Sequence, residues 1–252
     1  MVDTRMLPER RAEHDHRARL TAMRNDIARG GTALVLAAFL TAGAAGCASM
    51  SQQEKGAVIG AAAGGAVGGV VGNQAGSTTK GVLIGAVLGG AAGAVIGHQM
   101  DEKADELEDD LPNATVERVG EGILVTFDSG ILFDFDSSRL RAEARANLSD
   151  LASVLGERRE DYELLIAGHT DAVGSDDYNE ALSERRARSA ADYLMTQGIP
   201  PSRMNLVGLG ESEPVATNET EAGRQENRRV EVAIYASEEY RAEIEERYGG
   251  GD

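Results

Sequence analysis

Apolar and polar positions divide the chain into three stretches with different periods. From Gly56 to Gly97 the sequence is almost continuously apolar. Glycine recurs there every fourth position, at 56, 60, 64, 68 and 72 and again at 81, 85, 89, 93 and 97. On an α-helix that period lays the glycines along one slowly drifting stripe, so that two helices can pack backbone to backbone. The two runs, GAVIGAAAGGAVGGVVG and GVLIGAVLGGAAGAVIG, start 25 residues apart and are joined by the short polar linker NQAGSTTK. The pattern predicts a helical hairpin over 56–97 with its glycine faces together. Each run has 17 residues, the short limit for crossing a bilayer. Every glycine costs a helix up to about 1 kcal/mol relative to alanine. Such a hairpin is marginal in water and implies lipid or self-association. A flexible linker is the competing reading, but linkers are polar and this stretch is rich in Val, Ile, Leu and Ala.

After Gly97 the composition turns acidic. Residues 98–112, HQMDEKADELEDDLP, are helix-compatible and read as a solvated linker that ends at Pro112.

Beyond the linker a period of two appears. Ile123, Val125 and Phe127 alternate with Leu124, Thr126 and Asp128, which predicts a strand. Phe133-Asp134-Phe135-Asp136 alternates as well, with rings expected on one side and carboxylates on the other. A helix is predicted from about Ser138 to Gly156, with Leu140, Ala144, Leu148, Leu151 and Leu155 as its apolar stripe. Tyr162 to Ala167 is apolar on both faces, as a central strand would be. A second helix is expected to begin beside Asp177, which has capping-box spacing to Glu180. It buries Leu182, Ala187, Ala190, Tyr193 and Leu194 and is broken by Gly198 before Pro200 and Pro201. A short strand at Met204–Gly208, a turn-rich passage and a strand at Arg228–Tyr235 complete the domain. The expectation is a β-α-β-α-β-β sandwich, with two helices packed on one face of a four-stranded mixed sheet. The tail, 237–252, is acidic and carries no assigned role.

The loop and helix after the second predicted strand hold the candidate chemistry. Asp171 falls just beyond the strand and Arg186 lies on the following helix, so an acid and a guanidinium can grip a small zwitterion from two sides. Arg185 faces about 100 degrees away and is the natural control. His169, with Thr170 or Ser175 nearby, lacks a convincing activated nucleophile, so binding without turnover is preferred to hydrolysis. The scattered histidines and single cysteine form no zinc pattern, and no metal or cofactor is expected. GLGES lacks the glycines of a phosphate loop. A formal net charge of -17 excludes a nucleic-acid partner, since phosphate binding needs a basic surface.

The one cysteine excludes an intrachain disulfide. Cys47 closes the apolar run TALVLAAFLTAGAAGC, which follows Arg24 and Arg29. A start at Met23 would leave a compact basic leader. This order resembles a bacterial lipoprotein signal, with Ala44-Ala45-Gly46 as its lipobox and Ala44 where leucine is usual. The resemblance implies that residues 1–46 are a leader and signal peptide. It also implies that Cys47 is acylated, palmitate included, at the head of a short linker, 47–55, and that Ala48 suits outer-membrane sorting. The glycine runs resemble the glycine-zipper segments of bacterial envelope proteins.

From about Gly122 to Ile234 the chain resembles the OmpA-like peptidoglycan-binding domain. The matching stretches are ILFDFDS, GHTDAVGSDDYNEALSERRARSAADYL, GLGESEPVATN and NRRVEV. The domain is expected to occupy 113–236. In that family the peptide stem of peptidoglycan is held by its diaminopimelate. The resemblance implies that Asp171 receives the ammonium, that Arg186 pairs with the carboxylate, and that Asp134, Thr170, Asn179, Leu182 and Arg228 line the groove. Together these expectations describe a lipid-anchored outer-membrane protein that faces the periplasm and tethers membrane to wall. The alternative is a self-associating or membrane-active zipper scaffold whose C-terminal domain mainly localises it. Under the modular view, deleting 56–97 leaves binding intact.

Overall fold

The computed structural model of the chain describes residues 77–134, 136–156 and 161–249. Cys47 with its signal, and the first glycine run, lie outside the described residues. The second run is described, and it does not form one arm of a hairpin. Helix α1, Thr78–Gly85, starts where the Ser77 hydroxyl accepts the Lys80 amide, and it ends at Ala86. Gly89 and Gly90 then turn the chain at φ 71° and 64°, backbone that side chains rarely adopt. The Glu121 carboxylate holds this corner by accepting the Leu88 and Gly89 amides, each at 2.9 Å. Helix α2, Gly90–Asp110, runs on through the acidic stretch. The expected solvated linker is therefore part of the core. Met100, Ala104, Leu107 and Leu111 are buried at helical spacing, while the acids occupy the other faces.

The sheet has five strands rather than four: β1 Ala114–Val119, β2 Gly122–Asp128, β3 Tyr162–Gly168, β4 Met204–Gly208 and β5 Arg229–Ala236. Their order is β1-β2-β5-β3-β4. Only β3 and β4 run parallel; the other pairs are antiparallel. The unexpected β1 is a half-exposed edge strand whose sequence, ATVERV, carries little apolar signal. As anticipated, β3 is an inner strand buried on both faces, and its neighbour β5, at the centre of the sheet, is buried along its whole length.

The short helix α3, Ser129–Leu132, follows β2 and leads to α4, Ala142–Leu155. Helix α5, Asp176–Thr196, starts from Ser175, whose hydroxyl accepts the Tyr178 amide, rather than from a capping box at Asp177. The turn-rich passage contains α6, Glu221–Asn227, and the tail forms α7, Glu238–Tyr248. One core unites α2, α4, α5 and α7 with Ile123, Val125, Phe127, Leu164, Ile166, Val230, Val232 and Ile234. The opposite face of the sheet, with Leu124, Leu165, Ala167, Ala233 and Tyr235, is covered by Val82, Leu83 and Ala86 of α1 and its C-terminal end. The core is thus larger than two helices on a sheet. Among the described residues no helix is long and apolar enough to cross a membrane.

Two glycines bring α5 close to the strand ends where the site lies. A Cβ on Gly168 would stand 2.2 Å from the Ser183 carbonyl oxygen, and one on Gly208 would stand 2.7 Å from the Glu184 amide nitrogen.

Candidate ligand-binding pocket

At the ends of β3 and β5, α3 and its following loop, the β3–α5 loop, α5 and α6 enclose an open cleft of about 760 Å3. All seven residues anticipated from sequence line it: Asp134, Thr170, Asp171, Asn179, Leu182, Arg186 and Arg228. Four carboxylates (Asp134, Asp136, Asp171, Glu221) face four guanidiniums (Arg141, Arg186, Arg224, Arg228), so the lining is charge-balanced although the chain is acidic.

Asp171 is buried and held from two directions. One oxygen accepts the Val173 amide at 3.0 Å; the other accepts Arg228 Nη1 at 2.5 Å. An ionised carboxylate has about four acceptor positions, so room remains for a further donor. Asn179 secures the same loop by donating to the Asp171 carbonyl at 3.2 Å and to Glu211 at 2.5 Å. Behind it the Ala172 amide donates to Asn218. Asn227, fully buried, holds Asn218 in turn and accepts the Val215 and Ala216 amides at 2.8 and 2.9 Å. Its contacts are those of a structural residue at the groove edge.

Arg186 is 5% exposed and sits with its guanidinium over the Phe133 ring, 5.2 Å from the centroid. Its Nε donates to the Ser137 carbonyl at 3.1 Å. Among the described residues it has no carboxylate within ion-pair distance. Burial lowers its pKa, opposed by Tyr178 and reinforced by the Arg228 charge, with Asp136 and Asp171 pulling the other way. An arginine stays cationic regardless. This is a desolvated cation without an anion in contact among the described residues. Arg185, next to it, is exposed.

Sequence reasoning missed a second ring of side chains. Tyr178 donates its hydroxyl to Asp136, whose backbone lies in the left-handed region at φ 54°. That contact ties the loop after Phe133 to the first turn of α5, and the hydrogen bond to Asp136 raises the Tyr178 pKa. Glu221 and Gln225 of α6 accept from Arg228 Nη2 at 2.8 and 2.6 Å. Hydrogen bonds from Arg228 and Arg224 hold the Glu221 carboxyl below its ordinary range. Burial works against the charge of Arg228, but its bonds to Asp171 and Glu221 raise its pKa overall. The signal for α6 was Thr220 before EAGRQEN, a hydroxyl cap ahead of one or two turns of helix. The buried hydroxyls of Thr170 and Ser129, both residues of the lining, have no hydrogen-bond partner among the described residues.

Residues 132–228 match the model of the OmpA family, and residues 25–101 match that of the YMGG-like Gly-zipper. The chain carries an OmpA-like domain. It is fused to a glycine-zipper segment. Relatives include outer membrane protein A of Bordetella avium, 45% identical over 114 residues, covering 45% of this chain and 58% of that protein. Outer membrane porin F of Pseudomonas aeruginosa is 39% identical over 141 residues, covering 54% of this chain and 39% of that protein. The chain thus spans little more than half of the first relative and less of the second. A crystal structure of a MotB-like protein from Desulfovibrio vulgaris has the same fold, with a TM-score of 0.51 at 24% identity over 57% of this chain and 95% of that one. The OmpA-like match contains the pocket lining except for Ser129 and Gly130. Among the described residues no group of acidic, histidine or cysteine side chains is placed to hold a metal ion. The zipper match, by contrast, ends inside α2, so its last part is built into the domain.

Proposed function

We propose that this protein binds peptidoglycan non-covalently through the cleft and links the outer membrane to the cell wall. The observation that carries this reading is Arg186, a buried guanidinium without a carboxylate in contact among the described residues, in the same cleft as the acceptor Asp171. A ligand bearing both an ammonium and a carboxylate complements that pair; a simple anion or cation complements half of it. The diaminopimelate of a peptide stem has this chemistry at its free end. Its carboxylate would pair with Arg186, while its ammonium would take the open acceptor positions of Asp171 beside Arg228. The charge-balanced lining favours a zwitterion over the phosphates that the acidic surface repels.

The relatives' names support outer-membrane placement, and the lipoprotein-like signal supports acylation of Cys47. A membrane-extracted chain whose N-terminal peptide has the mass of unmodified Cys47 would rule the lipid anchor out. The binding test is calorimetric titration of the full chain with a diaminopimelate-containing muropeptide, beside Asp171→Ala, Arg186→Ala and Arg185→Ala. Asp171→Ala and Arg186→Ala should each weaken binding at least about tenfold, the scale of a lost charge-assisted contact, and Arg185→Ala should not. A folded wild-type chain that binds no muropeptide would overturn the proposal.

A further inference from the structure

The reverse face of the sheet holds a buried charged cluster directly behind the pocket. Glu231 lies in β5, 4% exposed, and its carboxylate accepts Arg229 Nε at 2.7 Å. His169 is fully buried, and its Nε2 stands 3.7 Å from the same carboxylate. Both basic residues adjoin the pocket residues in sequence: Arg229 follows Arg228, and His169 precedes Asp171 by two positions. The strands are stitched at that level, since the His169 amide donates to the Arg229 carbonyl at 2.9 Å. A shift of the cluster is therefore passed along two short backbone segments to the ion pair Arg228–Asp171.

The cluster does not close on itself. Thr79 of α1 is fully buried and donates its hydroxyl to Glu231. That hydrogen bond reaches Glu231 from outside the sheet, from a helix that belongs to the glycine-rich run. A second clasp lies beside it: Thr78 donates its amide (3.1 Å) and hydroxyl (2.6 Å) to Glu213. Leu83 packs beneath, close enough that a Cβ on Gly122 would stand 2.5 Å from its side chain. This part of the zipper match is thus bolted to the back of the binding domain.

We infer that Thr79, acting through Glu231, is a positioning residue for Asp171 and Arg228, so that docking of the zipper-derived helix α1 sets the affinity of the pocket. This rests on the peptidoglycan reading for its ligand, but not for the coupling itself. Loss of the Thr79 hydroxyl leaves a buried carboxylate oxygen short of a donor, and the cluster must rearrange or hydrate. Anything that draws α1 away, such as association of the glycine runs, would have the same effect on the site. Conversely a bound ligand that orders Asp171 and Arg228 would tighten α1, because coupling is reciprocal.

The test uses the full chain and two readouts. Amide hydrogen exchange of the peptides covering 168–172 and 226–230 is followed without ligand, and muropeptide affinity by calorimetry. Thr79→Val should speed that exchange and weaken binding about fivefold, the low end of ordinary site coupling. Thr79→Ser should restore both. Lys80→Ala, which loses only the exposed pair to Glu117 on β1, should move neither. Ser77→Ala, which removes both the cap on the Lys80 amide and the hydroxyl that lies 3.0 Å from that of Thr79, should shift both readouts as Thr79→Val does, and it serves if Thr79→Val does not fold. Wild-type exchange and affinity in Thr79→Val, or in Ser77→Ala if that variant stands in, would overturn the inference. If Asp171→Ala binds as wild type does, the pocket reading fails instead, and the exchange result still decides the coupling.

Discussion

Gly168→Ala tests whether the separation of α5 from the sheet sets the pocket. The added Cβ would stand 2.2 Å from the Ser183 carbonyl oxygen and 2.8 Å from its carbon, both backbone atoms that no rotamer change can move. Ordinary contact begins near 3.4 Å, so the helix must retreat by roughly 1 Å. Forcing a methyl into a packed interior costs about 1–3 kcal/mol. At about 2–4 °C per kcal/mol for a chain of this size, melting should fall by roughly 2–12 °C. Ser183 is less than one turn before Arg186, so the retreat also carries the guanidinium away from Asp171, and affinity for the muropeptide should drop at least about tenfold, or 1.4 kcal/mol. Gly97→Ala is the opposite case. It lies within α2 with no atom within 4 Å of the added methyl, so stability should rise by up to about 1 kcal/mol. Circular dichroism melts and calorimetry read both variants. Gly168→Ala with unchanged melting and affinity within about twofold of wild type would refute the packing argument.

Two further predictions separate the structure from its alternatives. Leu107→Ala, at a fully buried position of α2, should destabilise the chain by about 2–5 kcal/mol in urea unfolding, whereas a solvated linker would tolerate it within about 0.5 kcal/mol. Glu231 governs an acid limb. Burial pushes its carboxyl up, but the charges of His169 and Arg229 and the Thr79 hydroxyl outweigh that and hold it well below the ordinary 4.5. A depressed folded pKa means stability fully present above 4.5 and lost as pH falls from there toward the folded value. Wild type should therefore lose urea midpoint more steeply than Glu231→Gln on acidification below that point, and parallel pH profiles would contradict the ion cluster.

Much of this was legible in local periodicity, and what escaped did so for identifiable reasons. The alternation of β2 and the two-sided burial of β3 could be read directly, as could the packed face of β5 and the stripe of α4. Edge strand β1 could not, because a strand that fully buries no residue of ATVERV needs few apolar residues. In α2 the spacing of Met100, Ala104, Leu107 and Leu111 was present in the sequence but hidden among seven acids over 98–112. The seven pocket residues came through family resemblance, helped by the fit of Asp and Arg to a zwitterion. Asp136–Tyr178 and Glu221–Arg228 did not, because each joins segments whose approach depends on loops with no periodic signal. Glu231 in VEV reads as one polar position of an exposed strand face. Its burial is set by α1, more than 150 residues earlier in the chain.

That distance bears on how glycine-rich sequence should be read. A four-residue glycine period removes side chains from one stripe of a helix, and so specifies close approach without specifying the partner. In the second run the partner is the domain itself. Gly93 faces Glu121 so closely that a Cβ would stand 2.1 Å from its carboxylate oxygen, and Gly89 and Gly90 form the corner that separates α1 from α2. The glycines of the sheet reciprocate, with Gly120 against Val87 and Gly122 against Leu83. Deleting 56–97 would therefore not leave an intact module. It would uncover Leu124, Leu165, Ala233 and Tyr235 and remove the first two turns of α2 from the main core. Exposed apolar sheet surface of that kind is poorly tolerated in water. The folding unit that carries the pocket begins by residue 77, and a chain shortened to start at 113 should lose stability for reasons unrelated to its ligand.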